Sequence, residues 1–246
     1  MTKKEMRLLI LLGISIILAN LVLRLILRPL PENIGYLIKT LGLMCLYYFL
    51  VQRRLGLKIK STKKIRWSET LGVCWFLLLA DFFYVSAVAL GISKAPHMIG
   101  TALVIALGAG FFEEYFFRGL FLKLAFQDGI RSSKQVLGVV LLSAIFFGLA
   151  HLVNLTHQPL NATLFQVYYA TAIGIFYAAI YLRTGSLWWT IILHCLVDFA
   201  SVLLSQSTQA APATSIWHFI LWLPLIALGL FLIRPKKLKA IRYLND

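Results

Sequence analysis

Eight apolar stretches, each long enough to cross a bilayer, run through this chain at roughly residues 8–27, 34–51, 70–92, 98–122, 136–154, 164–182, 187–204 and 216–233. A bilayer core offers the backbone no hydrogen-bond partners, so stretches of this kind are predicted to be helices. They are too long and too numerous for a leader followed by a soluble domain. Composition agrees. Residues are 60% hydrophobic and 13% charged, with a mean hydropathy of +0.84, whereas a soluble domain is nearer half apolar and a quarter charged. The expectation is an all-α, polytopic membrane helix bundle of about eight transmembrane helices. It forms a single integral-membrane domain over 1–246, with no soluble domain boundary and no internal repeat.

The formal net charge is +15, which raises the question of nucleic acid. Placement answers it. Segments that lie on one side of the bilayer, if the N-terminus is cytoplasmic, hold 19 of the 24 Lys and Arg residues, including the basic loop from Arg53 to Arg66. The opposite side holds Arg28 and Lys94, and Arg24, Lys39 and Arg118 fall within spans. This asymmetry is the positive-inside pattern, so the charge encodes topology, with both termini predicted cytoplasmic in a cell-membrane protein. The expected partners are the lipid bilayer and a membrane substrate, with no nucleic acid. Oligomeric state stays open. Cys45, Cys74 and Cys195 all lie in apolar segments and read as small buried side chains, without a disulfide framework.

Ionisable groups inside spans are costly and, by default, face the bundle interior and mark function. Arg24 and Lys39 lie near span ends and can snorkel, which asks for no chemistry. That leaves Asp81, Glu113, Glu114, Arg118, His151, His194 and Asp198. Asp81 reads as structural, either supporting a site or pairing with Arg24 or Lys39. His97, His157 and His218 sit in loops or near span ends and read as ordinary.

Spacing sorts the rest. Glu114 and Arg118 are four apart and stack on one helical face, so they can pair. Glu113 points about 100° away around the helix, which leaves it free for chemistry. An incompletely partnered buried carboxylate is suited to taking a proton from water. His194 and Asp198 are also four apart, and a carboxylate there can accept a ring N–H and fix the histidine tautomer. His151 lies one turn after Phe147 in "FGLAH".

These residues resemble the three signatures of the CAAX protease and bacteriocin-processing family (CPBP or Abi) of intramembrane peptidases. "EEYFFR" from Glu113 matches E-E-x-x-x-R, "FGLAH" from Phe147 matches F-x-x-x-H, and "HCLVD" from His194 matches H-x-x-x-N/D. Each pattern alone is weak. All three, in order and each in an apolar helix, are specific together. The resemblance covers roughly 98–204, the expected catalytic core.

It implies a bundle of about eight helices with an intramembrane catalytic cavity, and an endopeptidase that processes membrane-associated peptides or proteins. In this picture Glu113 and His151 activate water, Arg118 orients Glu114, and the His194–Asp198 pair stabilises the oxyanion. Asp198 departs from the asparagine variant. An ionised Asp cannot donate, so here it would orient His194, which donates instead.

The family is often described as metallopeptidase. Glu113, His151 and His194 would make a three-ligand site for zinc or another divalent metal. The H-E-x-x-H motif is absent, and the same residues work without metal, so no cofactor is expected to be required. Implied roles include bacteriocin or pheromone maturation and self-immunity. Two other classes compete: a non-proteolytic immunity protein or sensor-kinase scaffold using these residues as a structural network, and a proton-relaying transporter. The transporter lacks the broken paired helices and repeat that such folds carry.

Overall fold

A computed structural model describes residues 3–59 and 67–240, and every regular element among them is helical. The elements are α1 (Lys3–Leu27), α2 (Glu32–Arg53), α3 (Trp67–Lys94), α4 (Pro96–Ala125), α5 (Ser133–Thr156), α6 (Leu160–Thr184), α7 (Leu187–Ser205) and α8 (Ile216–Leu232). Each matches one expected span. Six of them, α1, α2, α4, α5, α6 and α7, are long and apolar enough to cross a membrane. Residues 60–66 of the basic loop and the side chain of Asp81 lie outside the described residues.

Local chemistry sets the ends and irregularities. Ser132 caps α5 by accepting a hydrogen bond from the Gln135 backbone N–H. Gly185 closes α6 at φ 67°, a left-handed conformation that disfavours any residue with a Cβ. α8 is interrupted at Leu221 and Trp222, next to Pro224, whose ring nitrogen cannot continue the hydrogen-bond ladder. Two irregularities bear on function. α4 widens into a π-helical stretch at Tyr115–Phe121, just after the two glutamates, and α5 tightens into a 3₁₀ helix at His151–Thr156.

α6 is the central column, buried through most of its length and packed on α5 and α8, while α4 packs on α7 and α2. Small residues permit these approaches. A Cβ on Gly174 of α6 would stand 3.0 Å from Ala144 Cα of α5. One on Gly110 of α4 would meet the Cys195 sulfur of α7 and stand 3.2 Å from the Ile191 carbonyl oxygen. Lipid and side chain are about equally apolar, so such close backbone contact is what holds helices together in a bilayer. The outward faces carry large apolar side chains, among them Leu11, Leu18, Ile26, Phe82 and Phe83. This is the surface of a multi-pass membrane protein. Cys45 and Cys195 are free thiols; Cys45 lies on the exposed face rather than in the core, because its position on α2 turns outward.

Candidate active site

The glutamates occupy the end of the regular part of α4, and the bundle treats them differently. Glu114 is fully buried (0% exposed), whereas Glu113 keeps 23% of its side-chain surface. Glu114 Oε1 lies 2.9 Å from Arg118 Nη1, the expected pairing one turn along the helix, and Arg118 is itself only 1% exposed. The guanidinium rests over the Phe147 ring at 4.5 Å and the Tyr177 ring at 5.4 Å. Its Nη2 donates to the Gly174 carbonyl at 3.5 Å. A cation removed from water needs such compensation from a carboxylate, aromatic faces and a carbonyl.

Glu114 has a second partner. His194 of α7 brings Nδ1 to 2.9 Å from the same Oε1. A carboxylate paired with arginine accepts, so Nδ1 carries the hydrogen and Nε2 is the atom turned toward the remaining groups. Nε2 lies 3.5 Å from Asp198 Oδ2 and 3.8 Å from Glu113 Oε2. The expected His194–Asp198 pair is present, and an interhelical contact adds to it. Glu114, from another helix, makes the shorter contact at Nδ1, and Asp198 makes the longer approach at the other ring nitrogen. Four-residue spacing brings Asp198 alongside the ring, but the interhelical approach at Gly110 brings Glu114 closer.

His151 stands where α5 tightens, and its Nδ1 lies 2.9 Å from the Phe147 carbonyl oxygen. A carbonyl only accepts, so Nδ1 donates and a neutral ring keeps its lone pair at Nε2. Phe147 links the parts: its ring is 5.2 Å from that of His151 and 5.9 Å from that of His194, edge-on to each. Glu113, Glu114, Arg118, His194 and Asp198 thus form one connected cluster, and Phe147 joins it to His151. Glu113 Oε2 is buried without a hydrogen-bond partner among the described residues.

Residues 95–200 match the family described as type II CAAX prenyl endopeptidase Rce1-like. This is the family that the three motifs resemble, and the Rce1-like region encloses all six motif residues from Glu113 to Asp198. The matched region, somewhat under half of the chain, is therefore similar to a family of membrane endopeptidases. No curated protein and no solved structure matches the chain.

The metal alternative meets a geometric difficulty. Among the described residues, no three His, Cys, Asp or Glu side chains are grouped to hold an ion. Nδ1 of each histidine faces an oxygen of the protein, which leaves Nε2 of each ring as the available nitrogen.

Two participants were missed from the sequence. Gly174 and Tyr177 of α6 contact Arg118, yet α6 carries no intramembrane charge to draw attention. Their spacing of three, on one helical face, was the available signal, and nothing in it distinguishes Tyr177 from the other tyrosines.

Proposed function

We propose that the chain is an intramembrane endopeptidase in which Glu113 and His151 activate a water against a membrane-associated peptide bond. The observation that carries this reading is the contrast between the glutamates: Glu114 is wholly buried with Oε1 2.9 Å from both Arg118 and His194, while Glu113 is 23% exposed and its Oε2 stands 3.8 Å from His194. An acceptor held in a partly dry site is well suited to general-base work.

In the step envisaged, the water oxygen bonds to the scissile carbonyl carbon as its proton passes to Glu113, with His151 Nε2 accepting from the same water. The resulting oxyanion takes a hydrogen bond from His194 Nε2–H, present when the ring is doubly protonated. Collapse of the intermediate breaks the C–N bond, and the proton held by Glu113 goes to the departing nitrogen. Asp198, an acceptor only, acts on His194 rather than on the oxyanion. Substrates of the kind implied are small membrane-associated peptides such as bacteriocins, pheromones or leaders, with self-immunity as a further role. Both termini are assigned to the cytoplasm of a cell-membrane protein on the charge asymmetry.

The non-proteolytic alternative is favoured by one observation, the near-complete burial of the Glu114–Arg118 pair, which suits a structural brace. It does not account for Glu113. The test is cleavage of membrane-reconstituted peptides by purified protein carrying Glu113→Gln, His151→Ala or His194→Ala. Each is expected to lose about 10²–10⁴-fold in rate, the range for losing a general acid–base group. Wild-type turnover by stable Glu113→Gln protein would overturn the assignment.

A further inference from the structure

Basic residues are sparse on the side of the bilayer opposite the basic loop, yet three of them converge there. Of the 24 Lys and Arg residues, 19 fall on the predicted cytoplasmic side, and the others are Arg24, Arg28, Lys39, Lys94 and Arg118. Arg118 is paired with Glu114 inside the bundle. Arg24 from the end of α1, Arg28 from the connection after it and Lys39 from α2 line a single cavity of about 320 Å³. That is near the lower end of the roughly 300–1,000 Å³ range of ligand pockets. Snorkelling explains a lone cation at a span end. It gives no reason for three cations from two helices to meet.

The cations are held in place but not neutralised. Arg24 Nε donates to Thr156 Oγ1 at 3.1 Å, and the Lys39 ammonium sits 4.5 Å over the Tyr36 ring. Tyr36 is itself seated on α4, where an added Cβ on Gly108 would stand 2.8 Å from its Cε1. Among the described residues, no carboxylate forms an ion pair with Arg24, Arg28 or Lys39. The one acid of the lining, Glu32, is engaged by the Thr208 hydroxyl, which donates to its oxygens at 3.1 and 3.2 Å. Three cations against one carboxylate leave the lining positive. The apolar surroundings then point to the source of an anion. Leu25 lines the cavity and also continues an exposed stripe along α1 with Leu18 and Val22. On α2, Ile34, Ile38 and Leu41 form a second exposed stripe beside the cavity-lining Gly35 and Lys39. Spacings of three and four residues keep each stripe on one helical face.

We infer that this cavity binds the headgroup of an anionic glycerophospholipid, with the phosphodiester held by Arg24, Arg28 and Lys39 and the acyl chains lying along the exposed stripes of α1 and α2. Basic pockets between transmembrane helices suit such headgroups. Arg24 spends only Nε on the protein, so both terminal nitrogens of its guanidinium fork stay available for phosphate oxygens, and Lys39 adds a point charge. A soluble phosphate would use the same cations but leave both apolar stripes idle. A headgroup of net negative charge, such as phosphoglycerol, suits a positive lining better than phosphocholine, whose own cation would face Arg24, Arg28 and Lys39. Lipid binding here is independent of the peptidase reading.

The test titrates purified protein in detergent micelles with phosphatidylglycerol or phosphatidylcholine and reads the first bound lipid by native mass spectrometry. Phosphatidylglycerol is expected to bind about tenfold more tightly, the effect of one charge-assisted hydrogen bond. The double variant Arg24→Gln/Lys39→Gln should remove most of that preference, while Arg24→Lys/Lys39→Arg, which keeps the charge and controls for folding, retains it. Lys236→Gln/Lys237→Gln removes two charges from the predicted cytoplasmic side and should leave the preference intact. In wild type, phosphatidylglycerol carrying a diazirine near the top of one acyl chain should label α1 between Leu18 and Leu27 or α2 between Glu32 and Leu41. Equal binding of the two lipids overturns the site, as does a preference that persists in Arg24→Gln/Lys39→Gln. A preference lost in Lys236→Gln/Lys237→Gln also overturns it, because general attraction to a basic protein would then account for the binding. Labelling confined to other helices does the same, whether or not the variants fold. Inorganic phosphate that displaces the lipid at equal concentration would mark a soluble-anion site and overturn the lipid assignment.

Discussion

Glu114 Oε1 lies 2.9 Å from His194 Nδ1 and 2.9 Å from Arg118 Nη1, so one carboxylate oxygen holds a histidine and an arginine together across two helices. Adjacent Glu113 makes no such contact, and its Oε2 is 3.8 Å from the other nitrogen of the same ring. Two neighbouring residues of one type are thereby given separate tasks.

Substitution should separate those tasks. Glu114→Gln leaves Arg118 buried beside a neutral group, a change that typically costs about 3–5 kcal/mol. Thermal unfolding in detergent should show a clear fall in Tm, and cleavage should be lost with it. Glu113→Gln removes a charge whose approach to His194 is longer, at 3.8 Å, so Tm should change little while activity disappears. Equal destabilisation by both would contradict the division.

Asp198→Asn should be mild by comparison. Its carboxylate approaches His194 at 3.5 Å, and the tautomer is already set from the Glu114 side. A decrease of less than about tenfold in single-turnover cleavage is expected, well under the general-base effect. A loss as large as that of Glu113→Gln would restore Asp198 to the orienting role.

Gly110→Ala tests whether the α4–α7 approach sets the site. The new methyl would meet the Cys195 sulfur and the α7 backbone at Ile191 and Cys195, which yields only by moving the helix. Overpacking of this kind costs about 1–3 kcal/mol. Displacing His194 from Glu114 should also lower the cleavage rate by about tenfold or more. Unchanged kinetics would show that the site tolerates the shift.

Chelation bears on the metal alternative. Glu113, His151 and His194 are not grouped as ligands, so cleavage should survive exhaustive treatment with a strong chelator. Loss of activity that zinc alone restores would require a rearranged site.

His157, in the connection between α5 and α6, offers a pH test. Burial, and secondarily the nearby Arg24, pull it down to about 4 from an ordinary value near 6.5. A histidine lowered on folding contributes stability that is complete above the unfolded value and lost as pH falls toward the folded one. Tm should therefore decline between about pH 6.5 and 4. His157→Gln should flatten that part of the profile, and an identical profile in the variant would assign the decline to other groups.

Much of this protein was legible in one dimension because the bilayer is a severe solvent. Eight apolar runs had to become helices, and the few ionisable groups inside them had to face inward, which singled out Glu113, Glu114, Arg118, His151, His194 and Asp198. Spacing along a helix also paired Glu114 with Arg118, since neighbours at four residues are fixed by the helical repeat. Contacts between helices follow no such rule. That His194 turns to Glu114, that Phe147 and Tyr177 carry the arginine, and that Arg24 and Lys39 line one cavity all depend on helix rotation and separation. Those are set by packing at positions such as Gly108, Gly110 and Gly174, where a missing side chain decides how closely two backbones meet.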